Sequence, residues 1–240
     1  MPGDGGPRRR GPKEKAQNLL RRFPVVDLAQ AVTLEGANRR AFLDRFVKSF
    51  TTLSYLPTRE AAPMIYGAQK PLFGVPPEPW SAIERHLRAT TRPDILEMNL
   101  DASRHLFDLV RSQGYIATEC DPQVLRVRLK QVVTIGLDFY VTQGERLIFQ
   151  FPQMRKECLG ESALYILGSI VYHTYAQGDF ADAEIEIADI SCLPRGDERV
   201  PRIRPVPASS ILDRVALTEQ IEEVYDVLSE LAGPPSNPSS

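Results

Sequence analysis

Asp138 is the one charge inside the apolar run Ile135-Gly136-Leu137-Asp138-Phe139-Tyr140-Val141, an unusual place for a carboxylate, since acids are seldom surrounded by apolar neighbours unless paired or used. Glu161 and Tyr165 are four residues apart in ESALYILGSIVYHTY, so a helix through them carries both on one face. Arg126, Arg128 and Lys130 alternate with Leu125, Val127 and Leu129. A strand there puts the three cations on one side, where they either face solvent or neutralise phosphates in a salt-dependent way. Other chemistry is excluded. Cys120, Cys158 and Cys192 are odd in number, widely spaced and without CxxC or Cys/His ligand spacing, so neither a disulfide framework nor a zinc site is expected. There is no GxSxG elbow for acyl transfer and no GxGxxG or GxxxxGK[ST] to cradle phosphates. His86, His105 and His173 are isolated from one another and read as packing or surface residues.

With 240 residues, 42% hydrophobic and 25% charged, the chain has the composition of a globular protein with a sizeable core. Its net charge of -2 conceals an asymmetry. Arg8, Arg9, Arg10, Lys13, Lys15, Arg21 and Arg22 form a basic arm ahead of an acidic body, suited to solubility or to an anionic partner. No apolar run is long enough to cross a bilayer and no apolar leader opens the chain, so a cytoplasmic protein with no membrane partner is expected.

Four parts are expected to position these residues: a disordered basic tail at 1–14, a helical extension with a Pro-rich linker at 15–92, a core at 93–232 and a disordered tail at 233–240. Phe42, Phe46, Val47 and Phe50 recur at helical spacing. The linker from Leu56 to Trp80 holds Pro57, Pro63, Pro71, Pro76, Pro77 and Pro79, with Met64, Ile65, Tyr66, Leu72 and Phe73 as apolar members that dock it or meet a partner. A helix capped by Asp94 ends at Gly114. Three strands follow, Leu125 to Val133, Thr134 to Thr142 and Arg146 to Phe151, as an antiparallel meander. A helix from Glu157 to Tyr175, an alternating strand from Ala183 to Ile190, an edge strand near Val200 to Val206 and a helix from Ser209 to Leu231 complete an α+β fold.

The order helix, three strands, helix, strand, together with LFDLVRSQGY (Leu106 to Tyr115), GLDFYVTQGERLIFQF (Gly136 to Phe151) and ESALYILGSIVYHTY (Glu161 to Tyr175), resembles the PD-(D/E)XK nuclease superfamily. The resemblance covers a little over half the chain and implies a restriction-endonuclease-like core, a mixed sheet flanked by helices. Such enzymes hold Mg²⁺ on strand carboxylates to polarise a phosphodiester and activate water. It places Asp138 as the first carboxylate, Gln150 where the second belongs and Pro152 where a lysine belongs. The triplet is thus broken. Glu161, with Tyr165, is the replacement ligand from the helix, and Arg155 or Lys156 the replacement cation; Glu97 and Asp101 are further acids on the first helix.

The resemblance therefore implies a catalytically inactive nuclease-like domain that binds DNA or RNA through Arg126, Arg128, Lys130 and Arg155, or assembles with a nucleic-acid-processing partner, with no cofactor. A second reading is an active nuclease with Mg²⁺ on Asp138 and Glu161. The third is a structural protein-interaction module or homodimer, using the acidic strand Glu184, Glu186 and Asp189 and the apolar last helix.

Overall fold

The computed structural model describes residues 19–20, 23–48, 54–68, 77–128 and 131–233. Both expected tails, Gly233 apart, lie outside those residues, as do all the cations of the basic arm, Phe50, Leu72, Phe73 and Lys130. The described chain is an α+β protein with one continuous buried apolar cluster running from Phe23 to Ala232.

Pro24 leads into α1 (Val25–Val32), which buries Leu28, Ala29, Ala31 and Val32. α2 (Gly36–Lys48) buries Leu43 and Val47. Two single-turn helices follow, α3 (Leu56–Glu60) and α4 (Ala62–Tyr66), each with proline in its first turn, where the missing N–H has no partner to lose. Gly67, at φ 66°, ends α4 in the left-handed conformation. α5 (Trp80–Thr90) and α6 (Pro93–Arg111) come next. Asp94 does not cap α6 as expected: Pro93 occupies the first turn and Asp94 pairs with Arg92 at 2.8 Å. α6 packs on α3, α4 and α5.

The main sheet has the order β1-β4-β5-β6-β7, with β1 at Ile116–Glu119, β4 at Phe139–Gln143, β5 at Arg146–Gln153, β6 at Glu184–Asp189 and β7 at Arg202–Pro205. Only β5 and β6 run parallel, because α7 (Glu161–Tyr175) supplies the crossover between them. The expected first strand instead folds back on itself. Its two halves, β2 (Val124–Arg128) and β3 (Gln131–Thr134), pair as a separate ribbon with an irregularity between Arg126 and Arg128. β1 takes the place at the sheet edge; four residues give too few alternations to be seen in sequence.

One sheet face, with Phe149 and Ile187, lies against α7: Tyr175 and Phe180 sit 5.0 and 5.5 Å from the Phe149 ring. The other face meets α4, where Tyr66 packs 4.5 Å from Phe139. α8 (Arg214–Ala232) starts four residues later than Ala208–Ser210, a short 3-10 turn, and is capped by Asp213, whose carboxylate accepts from the Val215 N–H at 2.8 Å. α1 packs on both α7 and α8, so the N-terminal helices share the core of the sheet region.

Candidate functional site

The α4 side of the sheet holds a chain of polar side chains inside the core. Gln150 on β5 is fully buried. Its Oε1 accepts from the Tyr66 hydroxyl at 2.7 Å, and its Nε2 donates to Glu186 Oε2 at 2.9 Å. Gln150 and Glu186 are register partners across the parallel β5–β6 pair, which keeps them side by side. Glu186 also accepts from the Tyr115 hydroxyl at 2.8 Å and, on Oε1, from Arg146 Nη2 at 2.8 Å. Arg146 also holds Glu184, through Nε at 3.0 Å and Nη2 at 2.7 Å. Burial, followed by the charges of Tyr115 and Glu186, raises the Tyr66 phenol far above its ordinary value. Burial likewise raises that of Tyr115, and the hydrogen bond to Glu186 raises it further. Both hydroxyls are therefore neutral donors at ordinary pH, and every member of the chain has a partner. Such a network ties α4, the start of β1, β5 and β6 into one arrangement.

Asp138 is not part of it. Asp138 lies just before β4 with its side chain exposed, and the hydrogen bonds that join Tyr66, Gln150, Glu186, Tyr115 and Arg146 do not include it. Its carbonyl extends the β1–β4 pairing by accepting from the Cys120 N–H at 2.8 Å. Partial burial raises its carboxyl above the usual range, its own backbone N–H opposes this, Glu119 adds to it and Arg59 counters. Burial, then the charges of Asp138 and Asp121, push the Cys120 thiol up to about 11.

The remaining candidates are dispersed. Glu161 is exposed at the start of α7 and accepts from the Tyr165 hydroxyl at 2.6 Å, so the four-residue spacing does produce a contact. Lys156 is exposed, and its carbonyl accepts from the Cys192 N–H. Arg155 does not reach the sheet's polar chain: its guanidinium makes a two-fold pair with the buried Asp27 of α1. Arg126 is exposed, whereas Arg128 is taken up by Asp226 at 2.7 Å and Glu222 at 3.4 Å on α8. Asp101 holds Arg199, whose other donors fix the carbonyls of Met154 and Ile190. Among the described residues no group of three or more His, Cys, Asp or Glu side chains could hold a metal ion.

The surfaces expected for a partner also lie elsewhere than their sequence suggests. Glu186 and Asp189 are buried and paired with Arg146 and Arg202, leaving Glu184 alone of the acidic row exposed. The apolar stripe of α8, with Leu217, Ile221, Val224 and Leu228, closes the molecule's own core. Large apolar side chains that do face solvent are Leu56, Ile116, Val124, Leu193, Val200 and Val215. Tyr66, Tyr115, Arg146 and Glu186 escaped sequence reasoning as a group, because only the parallel register brings Glu186 beside Gln150. The faint signal was a glutamine in the otherwise apolar LIFQF.

Comparison with known proteins gives one positive result. A family model, SocB, described as a sliding clamp-binding bacterial toxin, matches residues 26–232. No curated protein matches. No solved structure matches. The match spans most of the chain and nearly all of the described residues: the chain belongs to the SocB family. This overturns the resemblance to PD-(D/E)XK nucleases, and with it the pseudo-nuclease, nucleic-acid-binding and active-nuclease readings. The misleading signal was an element order, helix, strands, helix, strand, that unrelated α+β folds share.

Proposed function

We propose that this member of the SocB family is a toxin that acts by binding a bacterial sliding clamp, a protein partner, and that its fold serves as a scaffold for that contact. The observation that carries the reading is the family match over residues 26–232. The separation of Asp138 from Gln150 and the full pairing of Gln150 and Glu186 support it, since the polar chain then has a structural use. No helix among the described residues is long and apolar enough to cross a membrane, and we propose a cytoplasmic site of action, where a sliding clamp is met.

The test is calorimetric titration of the full chain into a purified bacterial sliding clamp. Saturable binding is expected. An alanine scan over Leu56, Ile116, Val124, Leu193, Val200 and Val215, together with Leu72 and Phe73 outside the described residues, locates the contact, because buried apolar anchors dominate such interfaces. Variants that lose clamp binding are expected to lose growth inhibition when expressed in bacteria. Toxicity that persists in folded, non-binding variants would refute the reading.

A further inference from the structure

Arg204, the third residue of β7, projects to the α7 side of the sheet. Its guanidinium lies 3.8 Å from Asp189 Oδ2, too far for a hydrogen bond. The reason is competition. Arg202 holds the same oxygen at 2.5 Å, and the Ser191 N–H takes Oδ1 at 3.1 Å. Arg204 thus makes no hydrogen bond among the described residues, although its side chain is only 31% exposed. Asp189 balances the Arg204 charge from 3.8 Å, while the guanidinium N–H donors, half-buried and unused within the protein, can still take an acceptor from a ligand.

The space beside it has a definite character. Arg204 lines a cleft of about 250 Å³ between β7 and the first turns of α7, with Leu164, Ile187 and Val206 as apolar lining. Tyr165 and Glu161 form the opposite rim, where the Tyr165 hydroxyl donates to Oε1 of the Glu161 carboxylate at 2.6 Å. Gly168 keeps Val206 in place: a side chain there would meet its methyls at 2.7 Å. The volume falls below the roughly 300–1,000 Å³ of pockets for larger ligands. It suits one apolar side chain with an attached polar group. Strand addition is ruled out at Pro205 and Pro207, which have no N–H to offer.

We propose that this cleft receives the C-terminal end of a polypeptide whose last residue is apolar, the carboxylate on Arg204 and the side chain on Leu164, Ile187 and Val206. A chain terminus carries a carboxylate and an apolar side chain on the same carbon, which matches a cation adjoining an apolar floor in so small a space. An internal acidic residue needs a second residue to supply the apolar part. The guanidinium fork pairs with a carboxylate in two parallel hydrogen bonds. The inference is independent of the clamp contact.

The test uses the full chain and the peptide acetyl-Ala-Ala-Leu, titrated as the free acid, as the C-terminal amide, and against free leucine. The free acid is expected to bind saturably and the amide on the order of tenfold more weakly or less well still. Arg204→Gln should erase the difference between acid and amide, and Arg204→Lys, which keeps the charge without the fork, should leave part of it. Both variants should melt near wild type, because Arg202 continues to hold Asp189. Equal binding of acid and amide, no binding to wild type, an undiminished preference in Arg204→Gln, or tighter binding of free leucine than of the peptide would each overturn the proposal.

Discussion

Gln150 shows how a residue type misleads when its neighbours are unknown. In the sequence it fills the place of a lost catalytic carboxylate; in the fold its amide links the Tyr66 hydroxyl to Glu186 inside the core. Gln150→Leu leaves the Tyr66 hydroxyl without its acceptor and removes one donor from Glu186. A buried polar group left unpaired costs about 1–3 kcal/mol, so the denaturant midpoint should fall accordingly while clamp binding by the folded fraction persists. Asp138→Asn is expected to change neither. Cys120 provides a second check at this scale. With its thiol pushed up to about 11 by burial and by Asp138 and Asp121, it should alkylate far more slowly at pH 8 than an unperturbed cysteine, as mass-spectrometric labelling would show. Rapid labelling in the native state would contradict the burial described for it.

Element by element, legibility in the sequence followed length and periodicity. α6, α7 and α8 and the strands β5 and β6 stand near where their apolar spacing places them, since each is long enough to show its period. β1 did not show, being four residues with Ile116 exposed and only Ala117 buried. The split of Leu125 to Val133 into a hairpin was hidden because alternation looks the same on both sides of a reversal. The packing of α1 was equally hidden, depending as it does on Asp27 meeting Arg155 far along the chain. Asp27→Ala leaves Arg155 without its partner at a largely buried position; breaking such a pair costs about 3 kcal/mol, and hydrogen exchange should quicken first in α1. Gly168 tests the fit of α7 on the segment after β7. A Cβ there would come within 2.7 Å of Val206, so Gly168→Ala should destabilise by about 1–3 kcal/mol. Helix propensity favours alanine over glycine and so works against that loss; adding Val206→Ala should recover part of it, and no recovery would show that contact with Val206 is not its source.

At the scale of the whole molecule, pH should limit stability from both sides. The carboxyls of Asp213, held by the Val215 and Ala216 N–H groups, of Asp226, bonded to Arg128, and of Glu184, bonded to Arg146, lie below their ordinary values. Their contribution is present above the unfolded values of 3.8 and 4.5 and is lost as pH falls through the lower folded ones. Burial pushes the Tyr175 and Tyr225 phenols up to about 12, so stability declines as pH rises from 10, where unfolded tyrosine ionises, toward 12. Melting temperatures across both ranges check the two slopes. Family membership was the part least legible in the sequence: core periodicity records how the chain buries its apolar residues, whereas recognition of a partner rests on a few surface side chains with no period. The measurement that bears most directly on the account is titration of the folded full chain into a purified bacterial sliding clamp. Saturable binding at a fixed stoichiometry, undiminished by Asp138→Asn, is the predicted result; no heat and no complex on gel filtration, with both proteins folded, would contradict it.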